Sequence, residues 1–166
     1  PRKLNTISVI NNTTISKNSV SDNGGGIYNR ADAILLNVTL SGNTASGTDT
    51  GGNIFNDTAS LSIKNSIITN SDTDGNCFNS EGIIDSQGHN LESGDTCEFA
   101  NAGDLVNTDP LLGDLQDNLG STFTHALLAG SPAIDQGDTA SCPKFDQRGF
   151  SRPADGDGNG EAICDI

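Results

Sequence analysis

The chain has 166 residues, enough for one domain with a core, and sets 8 Lys and Arg against 22 Asp and Glu for a net charge of −14. That balance argues against nucleic acid as a partner, because phosphate binding relies on basic side chains that release counterions, and it discourages adhesion to anionic membranes. No apolar run approaches the roughly 20 residues that span a bilayer, and Met is absent, so a mature or trimmed segment is expected, with any export signal or anchor outside it.

The stretch "NNTTISKNSVSDNGGGIYN" (11–29) has the composition of a disordered linker, but β-branched residues interrupt it at regular places and it returns later. "NTTISKN" (12–18) matches "NVTLSGN" (37–43) at an offset of 25, and "NSIITNS" (65–71) is a looser copy. "GGIYN" (25–29) matches "GNIFN" (52–56) and "GNCFN" (75–79) at offsets of 27 and 23. Self-similarity at this period marks a solenoid. Within "ILLNVTLSGN" (34–43), Leu36, Val38 and Leu40 alternate with Asn37, Thr39 and Ser41, a period of two that means strand. "LSIKNSII" (61–68) is similarly β-branched, with Leu61 and Ile63 on one face. The predicted fold is all-β: a right-handed parallel β-helix over 1–118, then an irregular, disulfide-clasped C-terminal extension over 119–166.

A β-helix has a narrow interior, filled by a few Ile, Leu and Val per turn, while Gly and Asn serve corners that need positive φ. Equivalent residues stack at ~4.8 Å. Asn29, Asn56 and Asn79 therefore predict an asparagine ladder, and Tyr28, Phe55 and Phe78 an aromatic stack. Ile27, Ile54 and Cys77 predict an inward row. "IIDSQGHNL" (83–91) reads as a further coil, and 103–118 as a last irregular turn. The extension is expected on the coil end, over an otherwise open sheet edge.

Cys77, Cys97, Cys142 and Cys164 match no zinc spacing, and the His residues are not placed to complete one. Nearest-neighbour pairing, 77–97 and 142–164, is expected out of three connectivities. Disulfides imply an oxidising compartment, hence a secreted or cell-surface protein.

The runs "GHNLESGDTC", "DLVNTDPLLGDLQDN", "THALLAGSPAIDQGD", "CPKFDQRGFSRPADGDGNG" and "CDI" resemble the end of secreted bacterial β-helix proteins of the choice-of-anchor Q group. The earlier coils resemble repeats of polymorphic outer-membrane proteins. The resemblance implies an exported, surface-attached protein with an anchor beyond Ile166, and it supplies no catalytic residues.

The sharpest chemical motif is "DGDGNG" (155–160). Asp155, Asp157 and Asn159 place oxygen ligands at positions one, three and five of a calcium loop, with Gly160 at the turn. The twelfth position falls beyond the chain, so Glu161, Asp165 or Asp146 is expected to complete the shell. "NTD" (107–109) resembles part of a pectin-hydrolase signature, but the partner carboxylates, a Gly-His-Gly and an Arg-x-Lys are missing around it, and His89 stands without its second Gly. Lys17, Arg30 and Lys64 read as scattered solubilising charges. His125 reads as a structural histidine, and Arg148 as the ion-pair partner of Asp146. Asn11, Asn12, Asn37 and Asn56 fall in Asn-x-Ser/Thr sequons, candidate glycan acceptors on an outward row.

These features predict a non-catalytic structural or adhesin-like surface protein, stabilised by calcium and able to self-associate or stack on neighbouring coils. The other readings are a carbohydrate-active enzyme with its catalytic coils upstream, and a polysaccharide-binding module using the Tyr28, Phe55 and Phe78 row as a sugar platform.

Overall fold

The computed structural model describes residues 7–69, 71 and 75–166, so the opening stretch 1–5, expected as an exposed end, lies outside the described residues. Short β-branched runs, each cut by Gly, Asn or Asp, form the strands. The first coil holds β1 (Ser8–Ser16), β2 (Ser19–Val20) and β3 (Ile27–Asn29), and the second β4 (Ala33–Ser41), β5 (Thr44–Ala45) and β6 (Ile54–Asn56). The third holds β7 (Ser60–Lys64), β8 (Ile67–Thr69) and β9 (Cys77–Asn79), and a fourth begins with β10 (Ile83–Ser86) and β11 (Leu91–Glu92). All pairing between these strands is parallel, giving a nearly all-β solenoid of about three turns.

The register agrees with the repeat. Thr13 pairs with Val38 and Ile15 with Leu40, while Ile27, Ile54 and Cys77 fall in one row. The asparagine ladder forms: Asn29 Nδ2 donates to Asn56 Oδ1 at 2.8 Å, and Asn56 Nδ2 to Asn79 Oδ1 at 2.8 Å. Beside it Tyr28 stacks on Phe55 with centroids 5.2 Å apart, and Phe55 on Phe78 at 5.5 Å.

One inward assignment changes. Leu35, and not Leu36, faces the core beside Val38 and Leu40. The cause is Asn37, whose φ of 52° is left-handed; it turns the strand through a corner and shifts the alternation by one residue. The same corner recurs at Asn12, Asn65 and His89, with φ of 48°, 48° and 56°. Inside, Ile10, Leu35 and Ile63 stack in one row, and Ile15, Leu40 and Ile68 in another.

The next member of that second row is Glu92, fully buried. A carboxylate in a dry interior is tolerated only when hydrogen-bonded. Glu92 Oε1 accepts from Thr96 N and Oγ1, both at 2.9 Å, and from Asn76 Nδ2 at 3.2 Å, while Oε2 accepts from Cys97 N at 3.0 Å. Asn76 is itself the last of a buried relay. Asn18 Nδ2 donates to Asn43, Asn43 to Asn53, and Asn53 to Asn76, at 2.9, 2.8 and 2.9 Å.

Both disulfides pair as expected. Cys77–Cys97 closes the coil region and Cys142–Cys164 the extension. The bridges Leu112↔Leu127 and Gln116↔Thr124 are antiparallel, so the last irregular turn runs continuously into the extension across residue 118.

Hydrogen bonds lay the extension along the solenoid's flank, coil by coil, and not over its end alone. Asn12 Nδ2 donates to Phe145 O at 2.7 Å, and Asn65 exchanges hydrogen bonds with the Asp138 backbone at 2.8 and 3.2 Å. His89 Nδ1 meets Gln136 O at 2.7 Å. The corner residues invite this, because their turned backbones project polar side chains sideways. A second apolar cluster, Ile67, Leu91, Ala133 and Ile166, seals the contact.

Glu92→Gln keeps the shape but replaces an acceptor oxygen with a donor facing other donors. Leaving a buried donor unpaired costs about 1–3 kcal/mol. Urea unfolding is expected to show that loss, with little change in its slope.

Candidate functional site

The acidic loop forms as a set of nested turns. Asp155 accepts from the N–H groups of Gly158, Asn159 and Gly160 at 2.7 to 3.2 Å. Asp157 accepts from Asn159 N and Nδ2, each at 3.0 Å. The third carboxylate is Asp135, buried in a turn with φ of 55° and holding the Gly156 and Asp157 N–H groups at 3.2 and 3.0 Å. Carboxylate oxygens of Asp135, Asp155 and Asp157 lie within 4.8 Å of one another, a group that could hold a metal ion.

The carboxylates brought together differ from the expected shell in one member, Asp135. Glu161 is exposed and outside the triad, tied by its N–H to Asn159 Oδ1 at 2.8 Å, so Asn159 braces the loop. Asp165 Oδ1 accepts from Asp135 N at 2.9 Å and props that ligand from behind. Asp146 is taken by Arg148, 2.7 Å away. No local spacing announces Asp135; its only sequence signal is its place in the "SPAIDQGD" run.

A cleft of about 360 Å³ separates the coil flank from the extension. Arg152 lies on its wall, half-buried, its Nη2 donating to Asp165 O at 2.7 Å. Asn37, its amide oxygen turned toward the guanidinium, accepts from Nη1 at 2.8 Å and Nη2 at 3.3 Å. Burial makes the Arg152 proton easier to lose than usual and pushes the Asp165 carboxyl up. His125, on the same wall, is wedged between Gly113 O at 2.7 Å and Ser16 Oγ at 2.9 Å.

The remaining candidates have structural partners. Asp109 caps the Leu111 N–H at 2.9 Å, closing a turn within "NTDP". Arg30 pairs with Asp57 at 3.1 Å and Lys64 with Asp138 at 2.7 Å, while Lys17 is an exposed corner residue. Of the four sequons, only Asn11 is exposed. Asn56 is fully buried in the ladder, Asn37 holds Arg152 and Asn12 holds Phe145 O, so their amides face protein and not a glycosylating enzyme. The aromatic row stacks ring on ring, with Tyr28 exposed at one end. Tyr28 and Phe55 are parallel to within 1°, so their facing surfaces cover each other, and Phe55 is buried.

No family model, curated protein or solved structure matches the chain. The parallel solenoid is established by its own register; membership of the choice-of-anchor Q group is not.

Lys64 and Asp138 clasp the extension to the third coil. The Lys64 ammonium first, then the Ser141 hydroxyl, hold the Asp138 carboxyl down at about 2, against an ordinary 3.8. A depressed carboxyl stabilises above its unfolded value and loses that contribution as pH falls through its folded one. Asp165, raised by burial, works in the opposite sense and gains as it is protonated. Hydrogen-exchange protection factors of the extension, corrected for the intrinsic pH dependence of exchange, are expected to be high at pH 5 and to fall toward pH 2. Asp138→Asn should lower them at pH 5 already.

Proposed function

We propose that the protein is a non-catalytic, extracellular structural solenoid, a stalk- or adhesin-like element whose acidic loop takes calcium. The observation that carries this reading is the set of side-chain rows running from coil to coil: the Asn29–Asn56–Asn79 ladder, the aromatic stack and the buried relay ending on Glu92. Such rows couple each coil to the next and make the stack stiff along its axis. Two disulfides suit an oxidising, extracellular setting. No helix among the described residues is long and apolar enough to cross a membrane. The C-terminal resemblance to secreted, surface-anchored β-helix proteins supports the same reading.

Calcium fits the donor set, since a hard cation takes six to eight oxygens at about 2.3–2.6 Å and carboxylates of this arrangement supply part of that shell, with backbone and water oxygens for the rest. Its binding would tie the extension's terminal loop to the turn that carries Asp135. Calcium at 100 times its dissociation constant is expected to stabilise the fold by about 2.7 kcal/mol. Calorimetry with calcium and with excess chelator reads this directly. Asp135→Asn should remove the response, and a wild-type chain indifferent to chelator would falsify the calcium assignment.

Among the described residues β1 pairs with β4 alone, leaving its other edge free. Open edges pair readily, and a further coil, whether upstream in the same protein or in a second copy, would cover this one. Sedimentation velocity over a concentration series should show larger species. A single small species at every concentration would sink self-association while leaving the calcium loop standing.

A further inference from the structure

The flank cleft has chemistry that a structural clasp alone does not use. A guanidinium carries five N–H donors. In Arg152 three are engaged, two by Asn37 Oδ1 and one by Asp165 O, and both acceptors are neutral. Among the described residues no carboxylate lies within 4.0 Å of it, whereas Arg30, Lys64 and Arg148 each have one. A half-buried cation whose hydrogen bonds all go to neutral oxygens, and which the Asp165 and Asp146 carboxylates of the same cleft reach only from beyond contact distance, favours an anion that can take its spare donors. The Asp146 carboxylate, on the same wall, does not pair with Arg152, because Arg148 holds that carboxylate at 2.7 Å.

The rest of the wall narrows the class of anion. The coil side of the same cleft carries the row Thr14, Thr39 and Ile67. Thr14 is occupied, donating to Gln147 Oε1 at 2.8 Å, but the Thr39 hydroxyl has no hydrogen-bond partner among the described residues. Phe150 adds an apolar surface, with the Arg148 guanidinium 4.9 Å from its ring centroid. The ligand thus needs a carboxylate at one end, hydroxyls along its body and a C–H face. A volume of about 360 Å³ is within the range of small-molecule sites.

We propose that this cleft binds a sugar acid, its carboxylate on the spare N–H groups of Arg152 and its hydroxyls against Thr39. The site is separate from the acidic loop and is independent of the structural reading above. It gives the protein a recognition function for acidic saccharide, either as a free uronate or as the end of a polysaccharide.

The test is titration calorimetry of the whole chain with sodium D-galacturonate, beside methyl galactoside as the uncharged control, sodium acetate as the bare carboxylate and trigalacturonate as the polymer arm. Saturable binding of galacturonate, with methyl galactoside and acetate at least about tenfold weaker, is the expected result. Binding of trigalacturonate as well assigns the polysaccharide end as the source, and its exclusion assigns the free acid. Arg152→Gln should abolish binding, and Thr39→Val should weaken it several-fold without lowering the melting temperature.

Because Arg152→Gln also cuts the extension's clasp, Asn37→Asp is the second variant. It supplies the missing carboxylate from within, so it should raise the melting temperature and abolish galacturonate binding together. Equal binding of the uncharged sugar, undiminished galacturonate binding in Asn37→Asp, or no binding by the wild type would each overturn the proposal.

Discussion

Each coil must turn its main strand through a corner at which φ is near +50°, a region closed to most side chains. Asn12, Asn37, Asn65 and His89 occupy that corner in successive coils. Asn tolerates the turn because its short amide hydrogen-bonds locally, and all four present a polar group beside the coil. The corner therefore does two jobs at once. It closes the winding and it leaves a column of hydrogen-bonding groups down one flank, along which residues 136–152 are laid. Shape and docking are coupled through four backbone torsions.

The interior obeys a second constraint. Coils spaced ~4.8 Å apart leave no room for the large aromatic core of a compact domain. Aliphatic rows fill one part, and polar amides fill the rest because each finds a partner in its own coil or in the one above or below. This makes the low apolar content of the chain compatible with order. A buried amide costs little when both its donor and its acceptor are matched. The buried asparagines are thus packing elements, and the surface left over is free to be acidic.

Much of this was legible because the repeat is local. "GGIYN", "GNIFN" and "GNCFN" carry their own register, and the ladder, the aromatic stack and the 77–97 disulfide follow from stacking equivalent residues. The phase of Leu35 and Leu36 was not, since a left-handed asparagine leaves no trace in a period-two pattern. The acidic loop shows the same division. Asp155 and Asp157 are neighbours in sequence and could be read, whereas Asp135 arrives by folding. Arg152 and Asn37 form a wall only because distant segments dock, so neither spacing nor composition points to the cleft. A sequon is read without regard to its surroundings: the fold engages the Asn37 amide with Arg152 on the flank and buries that of Asn56 in the ladder.

The buried relay has a direction. Asn18, Asn43, Asn53 and Asn76 each donate forward, and the series stops at Glu92, a carboxylate that accepts four hydrogen bonds and offers none. An asparagine both gives and receives, so a duplicated coil carrying one can be spliced into the series without a mismatch. Glu92 cannot pass the series on. A coil inserted on the N-terminal side of Asn76 would therefore keep the series matched, whereas one inserted beyond Glu92 would meet an acceptor with nothing to donate.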